Sequence, residues 1–237
     1  MDDVVISVEN ISKSFGGVNA LQQVSMTVRR GEIHCLAGEN GSGKSTLIKV
    51  ISGYYRPDSG TIRIDGRTFT SLTPAESIRH GVQVIYQDFS LFPNLSVMEN
   101  LALNAEVARG SHLVSYRRMR ETAQQAVEKI GLDVDMNARV ADLSVADRQM
   151  IAIARALAHK AKVVIMDEAT ASLTRKEVNR LFDVIHAMRD EGVAVVFVSH
   201  KLDEVFEISD AITIFRNGKN VVSCPANEMD EARFSYC

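Results

Sequence analysis

The chain has 237 residues, of which 46% are hydrophobic and 24% are charged, and its formal net charge is −3. These values are typical of globular proteins and exclude disordered and fibrous classes. The length suits one α/β domain with room for a subdomain. The small negative charge gives no electrostatic footprint for nucleic acid, and we expect no nucleic-acid partner, but the charge alone excludes none because local patches can oppose the mean.

Targeting segments and cysteines give the expected compartment. The N-terminus lacks the basic and apolar regions of a secretory signal peptide, and no apolar run approaches the roughly 20 residues of a membrane-spanning helix. Three cysteines, Cys35, Cys224 and Cys237, show neither metal-ligand spacing nor a disulfide framework. We therefore expect a protein of the reducing cytosol, which would work from the surface of a membrane if it works at one.

Short apolar runs alternate with longer helical patterns, which is typical of a parallel sheet covered by helices. The runs are nearly continuous, as expected for strands that are buried on both faces. The predicted strands are Ile33 to Ala37, Val82 to Tyr86, Val163 to Met166 and Val193 to Val198. Further on, Ile212 to Phe215 and Lys219 to Val222 flank Asn217-Gly218, which predicts a hairpin.

The helical patterns fall in two regions. Ser45 to Ser52 predicts a helix, with Gly53 as its C-terminal cap. From about Gln87 to His159 strand signals are few, and helical spacing at Met119 to Ile130 and Gln149 to Ala158 predicts an inserted helical subdomain. This region also holds a basic cluster, which nearby acidic residues nearly balance and which therefore predicts a solvated helix face: Arg109, Arg117, Arg118 and Arg120.

Residues 38–46 read Gly-Glu-Asn-Gly-Ser-Gly-Lys-Ser-Thr and match G-x-x-x-x-G-K-[ST] between a predicted strand and a predicted helix. Glycines let backbone N–H groups close around phosphates, and the helix N-terminus adds its positive end. Lys44, expected outside the core, would contact the β- and γ-phosphates, and the Ser45 hydroxyl would bind Mg²⁺. The alternative is a glycine-rich turn that matches by chance. The candidate nucleotide-binding residues here are Gly38, Asn40, Gly41, Ser42, Gly43, Lys44, Ser45 and Thr46.

A second candidate site follows the strand Val163 to Met166, which runs into Asp167 and Glu168. Open α/β sheets bind their ligands at such strand ends. Asp167 would hold Mg²⁺, and Glu168 would orient and polarise an attacking water. Alone, the pattern is a strand that runs into a polar loop; together with the phosphate loop it becomes a specific sign of a nucleotide site.

Three further features complete an ordered series of motifs: Gln87 after a strand, Leu143-Ser144 about two dozen residues before Asp167, and Ser199-His200 after the next strand. From Val4 to Val222 this order resembles the ATP-binding cassette (ABC) family. The resemblance implies an α/β fold: a P-loop NTPase (RecA-like) parallel sheet core with an N-terminal antiparallel β subdomain and an inserted helical subdomain. It also implies an ATP hydrolase with ATP and Mg²⁺ as cofactors.

The resemblance implies a role for each matching residue. Phe15 would stack on adenine, and Gln87 would sense Mg²⁺ and the γ-phosphate. His200 would contact the γ-phosphate, and Ser144 would act on the ATP of a partner cassette. Glu168, His200 and Gln87 are thus the candidate catalytic residues, and the candidate metal ligands are Ser45, Gln87 and Asp167. Taken singly, Phe15 could be core, Gln87 a loop residue and His200 a strand-end residue.

Two departures from the family pattern indicate one subgroup of the family. The usual Leu-Ser-Gly-Gly-Gln signature reads Leu-Ser-Val-Ala-Asp at residues 143–147, and Thr174 stands where an aspartate is common. Because Val145 and Ala146 add Cβ atoms near a phosphate, this signature should serve a partner's nucleotide poorly. Both departures are similar to the first half of the ribose/galactose/xylose-type importer ATPases, which fuse two cassettes.

The expected function is therefore ATP hydrolysis that drives uptake of a small sugar, at the cytoplasmic face of the membrane. Expected partners are permease subunits, a second cassette with an intact signature and, indirectly, a periplasmic solute-binding protein. Import of a nucleoside or signal molecule and a soluble, non-transport cassette are the alternatives. The predicted single nucleotide-binding domain comprises an α/β core (about 1–86 and 160–224), a helical subdomain (about 87–159) and a tail (225–237).

Overall fold

The computed structural model describes residues 3–86, 91–108, 114–230 and 234. The chain divides into two compact units, the first formed by residues 1–84, 162–169 and 188–237 and the second by residues 85–161 and 170–187. No helix in the described ranges has the length and hydrophobicity that crossing a bilayer requires. The predicted domain organisation stays a prediction; it placed residues 170–187 in the α/β core, whereas they group here with the second unit.

The described residues form two β-sheets, with strand orders β2-β1-β4-β5 and β10-β9-β3-β8-β7-β6. The strands are β1 (Val4–Phe15), β2 (Val18–Arg29), β3 (Ile33–Gly38), β4 (Ser59–Ile64), β5 (Arg67–Phe69), β6 (Val82–Ile85), β7 (Val163–Asp167), β8 (Ala194–Val198), β9 (Ala211–Arg216) and β10 (Lys219–Pro225). The helices are α1 (Lys44–Ile51), α2 (Pro74–Arg79), α3 (Val97–Ala108), α4 (Tyr116–Lys129), α5 (Val145–Ala158), α6 (Arg175–Asp190) and α7 (Leu202–Ile208).

The six-stranded sheet contains the strands predicted from continuous apolar runs. Side chains of β3, β7 and β8 are buried on both faces, and the thiol of Cys35 in β3 is fully buried, which raises its pKa to about 12. The predicted hairpin is β9–β10, whose two-residue turn has positive φ angles at Asn217 (51°) and Gly218 (75°). Residues at positive φ are what a two-residue turn of this hand requires, which explains the Asn-Gly pair.

Parallel pairing aligns the carboxyl ends of three strands. Leu36 of β3 pairs with Val198 of β8, and Val198 pairs on its other side with Asp167 of β7. Since parallel strands end at the same edge of a sheet, the loops after β3, β7 and β8 emerge side by side. The phosphate loop, the Asp167-Glu168 pair and His200 lie at or just after these strand ends.

The antiparallel sheet lies in the first unit and is built on β1 and β2, which pair along their whole length. Their register shifts between Val4 and Ile6 and again at three later points. Such irregularities twist and bend a strand and break its alternation of buried and exposed residues. The antiparallel sheet implied by the resemblance is present. Its register shifts explain why its strands show no regular alternation in the sequence.

The helices α3, α4 and α5 pack together in the second unit. The face of α4 that packs inward carries Met119, Ala123, Ala126 and Val127, all buried. This spacing of three and four residues is the amphipathic pattern that predicted the helix. The helix begins at a capping serine, Ser115, whose hydroxyl accepts a hydrogen bond from the N–H of Arg118.

Candidate functional site

The loop between β3 and α1 closes tightly at two glycines. Gly38 has a φ of 139°, and a Cβ there would lie 2.2 Å from the carbonyl oxygen of Phe215. Gly43 has a φ of 110°, and its Cβ would lie 2.7 Å from the carbonyl oxygen of Ala20. No other residue type fits either position without displacing backbone. Gly41, by contrast, has open space around it.

Lys44 points into this loop. Its ammonium donates hydrogen bonds to the carbonyl oxygens of Gly38 (2.7 Å) and Glu39 (2.8 Å), and the residue is only 5% exposed. The expectation that Lys44 lies outside the core is therefore wrong, because the loop folds over its side chain. Burial lowers the pKa of Lys44, while the charges of Glu168 and Asp167 act in the opposite direction.

The N-terminus of α1 adds to the positive character of the loop. No side chain caps it, and its first turn contains no acidic residue. Its first N–H groups and its dipole thus favour an anion. The other predicted loop residues differ in exposure: Ser42 is buried, Thr46 is half-buried, and Asn40, Gly41 and Ser45 are exposed.

Two carboxylates follow β7, at the aligned strand ends. Burial raises the pKa of Asp167, the neighbouring charge of Glu168 raises it further, and a hydrogen bond with Ser45 lowers it. Ser45 and Asp167 are hard oxygen donors held together, as Mg²⁺ prefers. Among the described residues, no group of three or more His, Cys, Asp or Glu has metal-binding geometry.

Glu168 and His200 lie beside each other, because β7 and β8 are neighbours. Their Oε1 and Nδ1 atoms are 3.6 Å apart, which is longer than a direct hydrogen bond. Both side chains remain accessible, His200 to 49% and Glu168 to 28%. Glu168 also has a φ of 52°, a left-handed conformation that costs a residue other than glycine about 1–2 kcal/mol.

Phe15 ends β1 and is 40% exposed, so it is not a core residue. Its ring packs edge-on against Tyr55 with centroids 4.9 Å apart, and Tyr55 in turn contacts Tyr54, which is 67% exposed. This exposed aromatic group offers faces on which a nucleobase can stack. Sequence reasoning identified Phe15 but missed the two tyrosines, whose only signal is their adjacency after the predicted helix.

Two predicted residues fall outside the first unit. Ser144, in the second unit, caps α5: its hydroxyl accepts from the N–H of Asp147 (3.1 Å) and donates to the Asp147 carboxylate (2.7 Å). The carboxylate thus stands at the N-terminus of the helix beside the signature serine. Gln87 lies outside the described residues.

The chain is similar to known proteins both in sequence and in fold. Residues 21–171 match the family described as ABC transporter. A ribose import ATP-binding protein of Rubrobacter xylanophilus is 45% identical over 97% of the chain, and another of Corynebacterium glutamicum is 43% identical over 94%. A putative ribose/galactose/methyl galactoside import ATP-binding protein of Geobacillus kaustophilus is 39% identical over 96%.

The chain spans about half the length of these curated relatives: 46%, 42% and 46% in the same order. Among solved structures, the ADP conformation of an ATP-binding cassette of an ABC transporter is 27% identical, with a TM-score of 0.84 over 95% of this chain and 92% of that one. A nucleotide-free cassette also has a TM-score of 0.84, over 98% and 94%, at 26% identity. These likenesses confirm the predicted fold class.

The raised pKa of Asp167 gives a pH-dependent prediction. An acid whose pKa is raised by folding destabilises the folded protein while it is ionised, so Asp167→Asn should stabilise the nucleotide-free chain at pH 7. The gain should fade as the pH drops through the raised pKa. Thermal unfolding from pH 7 to pH 4 measures it.

The control is Asp58→Asn, because a hydrogen bond from Lys13 holds the pKa of Asp58 below its usual value. That substitution should destabilise the chain at pH 7, and the loss should fade only at lower pH. An Asp167→Asn protein that is less stable than the parent at pH 7 would contradict the assignment.

Proposed function

The chain belongs to the ABC transporter family, and we propose that it hydrolyses ATP and thereby energises import of a small sugar through a separate membrane permease. The observation that carries the proposal is the likeness to ribose import ATP-binding proteins along nearly the whole chain. Such a chain acts as a peripheral subunit at the cytoplasmic face of the membrane. A periplasmic solute-binding protein then delivers the sugar to the permease.

The loop at residues 38–46 binds the phosphates of ATP in this proposal. Its glycines keep the backbone open to close approach, and the uncapped N-terminus of α1 directs N–H groups at the anion. The Lys44 ammonium exchanges its bonds to loop carbonyls for the β- and γ-phosphates. Phe15 stacks on the adenine ring, beside Tyr55.

Ser45, Asp167 and Gln87 are the residues that would hold Mg²⁺. The hydrogen bond between Ser45 and Asp167 supports the first two, and Gln87 rests on the sequence resemblance. When bound, the ion neutralises charge on the phosphates. Asp167 must be ionised for this role. Because the charge of Glu168 contributes to the raised pKa of Asp167, a nearby cation also offsets the repulsion between the two carboxylates.

Glu168 is the proposed general base. Its carboxylate takes a proton from the attacking water as the water oxygen bonds to the γ-phosphorus and the bond to the β-phosphate oxygen breaks. His200, beside Glu168, contacts the γ-phosphate. The proximity of Glu168 and His200 and the accessibility of both side chains support this pairing.

Glu168→Gln tests the base. The amide keeps the size of the side chain but cannot accept the proton, so hydrolysis should fall by about 10²–10⁴-fold while ATP binding persists. Steady-state ATPase assays and equilibrium binding of a fluorescent ATP analogue measure the two effects. Glu207→Gln serves as a matched control elsewhere in the chain, and hydrolysis by Glu168→Gln at the parent rate excludes the assignment.

The proposed catalytic unit requires a second cassette. The resemblance implies that the signature of this second cassette faces the ATP bound by the chain. In this chain the hydroxyl of the signature serine, Ser144, donates a hydrogen bond to the Asp147 carboxylate. The negative charge of that carboxylate repels an incoming phosphate. Val145 and Ala146 add Cβ atoms at the same helix end. Two copies of this chain therefore pair poorly around ATP, and the working partner is a cassette with an intact Leu-Ser-Gly-Gly-Gln signature, fused or separate.

The isolated chain should thus bind Mg·ATP, stay mostly monomeric and hydrolyse ATP slowly. Replacing Val145→Gly, Ala146→Gly and Asp147→Gln together should raise turnover and ATP-dependent dimerisation, since a missing phosphate donor typically costs about 10²–10³ in rate. Sedimentation and ATPase assays measure both. A control, Ala158→Gly at the other end of α5, should change neither, and brisk hydrolysis by the unmodified chain would show that its signature is competent.

The transported solute contacts the permease and the binding protein rather than this chain, so import of a nucleoside or signal molecule is the alternative. Uptake of labelled ribose, galactose, xylose and a nucleoside in cells that express all subunits separates the two. Lys44→Met keeps the buried stem and removes the charge, so it should abolish uptake of the true solute, whereas Lys176→Met at an exposed position should not. Loss of nucleoside uptake alone would favour the alternative, and unchanged uptake of every solute would exclude import.

A further inference from the structure

Phe15, on which the base of the nucleotide is proposed to stack, is preceded by residues that are tied to Asp58. The ammonium of Lys13 lies 2.8 Å from Oδ1 of Asp58, and the backbone N–H of Ser14 donates a hydrogen bond to Oδ2 at 2.7 Å. The backbone N–H of Asp58 in turn donates to the carbonyl oxygen of Ser12 at 2.8 Å. Both carboxylate oxygens of Asp58 therefore hold the chain immediately before Phe15.

The ion pair also places a cation over the ring of Phe15. The Nζ atom of Lys13 lies 5.3 Å from the ring centroid, within the roughly 6 Å over which an ammonium and an aromatic face attract each other. The Lys13 side chain is only 17% accessible, compared with 45% for that of Asp58. The ammonium is therefore partly withdrawn from water, and Asp58 holds it over the ring.

Tyr55 restrains the ring of Phe15 from a second direction. The planes of the two rings are inclined by 62°, and their centroids are 4.9 Å apart. Tyr55 is itself held by Lys49, whose carbonyl oxygen accepts a hydrogen bond from the Tyr55 N–H at 2.9 Å and whose ammonium lies 5.6 Å from the Tyr55 ring centroid. An aromatic side chain that stays 40% exposed is thus restrained by two neighbours.

The stability of the fold does not explain these restraints. Ion pairs near a protein surface stabilise a fold little, and the half-exposed ring of Phe15 buries only part of its apolar area. Binding is different, because a side chain that becomes ordered only when a ligand binds lowers the affinity for that ligand. A ring that is already held in place avoids this loss, so the restraints favour ligand binding.

We propose that Lys13 and Asp58 are positioning residues for the nucleobase. Asp58 holds Lys13, Lys13 holds the ring of Phe15, and the base stacks on the part of the ring that stays accessible. Because this role assumes that ATP binds at residues 38–46 with its base at Phe15, it rests on the proposed function. The charged pair acts on the nucleotide only through the aromatic ring.

Removal of the Lys13 ammonium tests the contact with the ring. Lys13→Met keeps the side-chain stem and removes the charge, so the ring of Phe15 should become ordered only when the base binds. The affinity for Mg·ATP, measured by isothermal titration calorimetry, should fall about threefold to tenfold. Lys13→Arg can keep both the ion pair and the contact with the ring, and it should retain the parent affinity. Lys176→Met makes the same change at an exposed position of the second unit and should leave the affinity unchanged.

Combined substitutions decide whether the effect passes through Phe15. In a Phe15→Ala chain the ring is absent, so the addition of Lys13→Met should weaken Mg·ATP binding no further. Asp58→Asn keeps an acceptor for the Ser14 N–H but loses the charge that holds Lys13, so it should also weaken binding. Together with Lys13→Met it should lower the affinity no more than Lys13→Met does alone. A purely structural role of the pair would instead lower the affinity equally with and without the ring.

Three outcomes would overturn the inference: parent affinity in Lys13→Met, an equal loss from Lys13→Met in the parent and in the Phe15→Ala chain, or losses from Lys13→Met and Asp58→Asn that add. Thermal unfolding of each variant ensures that folded proteins are compared. Failure of the proposed function gives a different result, because the parent would then not bind Mg·ATP, or Phe15→Ala alone would bind it as tightly as the parent does.

Discussion

Parallel hydrogen bonding between β3, β8 and β7 is the constraint on which the candidate site depends. The register that pairs Leu36 with Val198 and Val198 with Asp167 brings the ends of three strands to one edge. From that edge the chain continues into the phosphate loop, His200 and Glu168. Residues more than 120 positions apart in sequence, such as Ser45 and Asp167, thereby become neighbours whose side chains can hydrogen-bond.

Opposed charges shape this edge further. The Lys44 ammonium lies inside the loop on two carbonyl oxygens, and the carboxylates of Asp167 and Glu168 partly offset the effect of its burial. Burial of Asp167 raises the pKa of its carboxyl group, and the charge of the neighbouring Glu168 raises it further. The acidic groups of such a site destabilise the ligand-free fold. In a ligand that carries both a cation and a phosphate, the cation compensates the carboxylates and the phosphate compensates the Lys44 ammonium.

Much of this architecture could be predicted from the sequence, because strands covered on both faces give continuous apolar runs, as in β3, β7 and β8. The phosphate loop was predicted because its motif requires glycines, and at Gly38 and Gly43 any other side chain would meet backbone atoms. The bounds of β1 and β2 could not be predicted, since their register shifts break the alternation of side chains. Burial of Lys44 and the bond between Ser144 and Asp147 depend on how loops fold in three dimensions, and the roles of the site residues stay predictions.

The left-handed backbone at Glu168 has an evolutionary consequence. Glycine and asparagine adopt that conformation more readily than glutamate does, so a mutation to either relieves strain at the moment it removes the proposed base. The stability of the fold therefore does not favour glutamate at this position. Duplicated cassettes that are released from selection for turnover are thus free to become inactive paralogues that remain well folded.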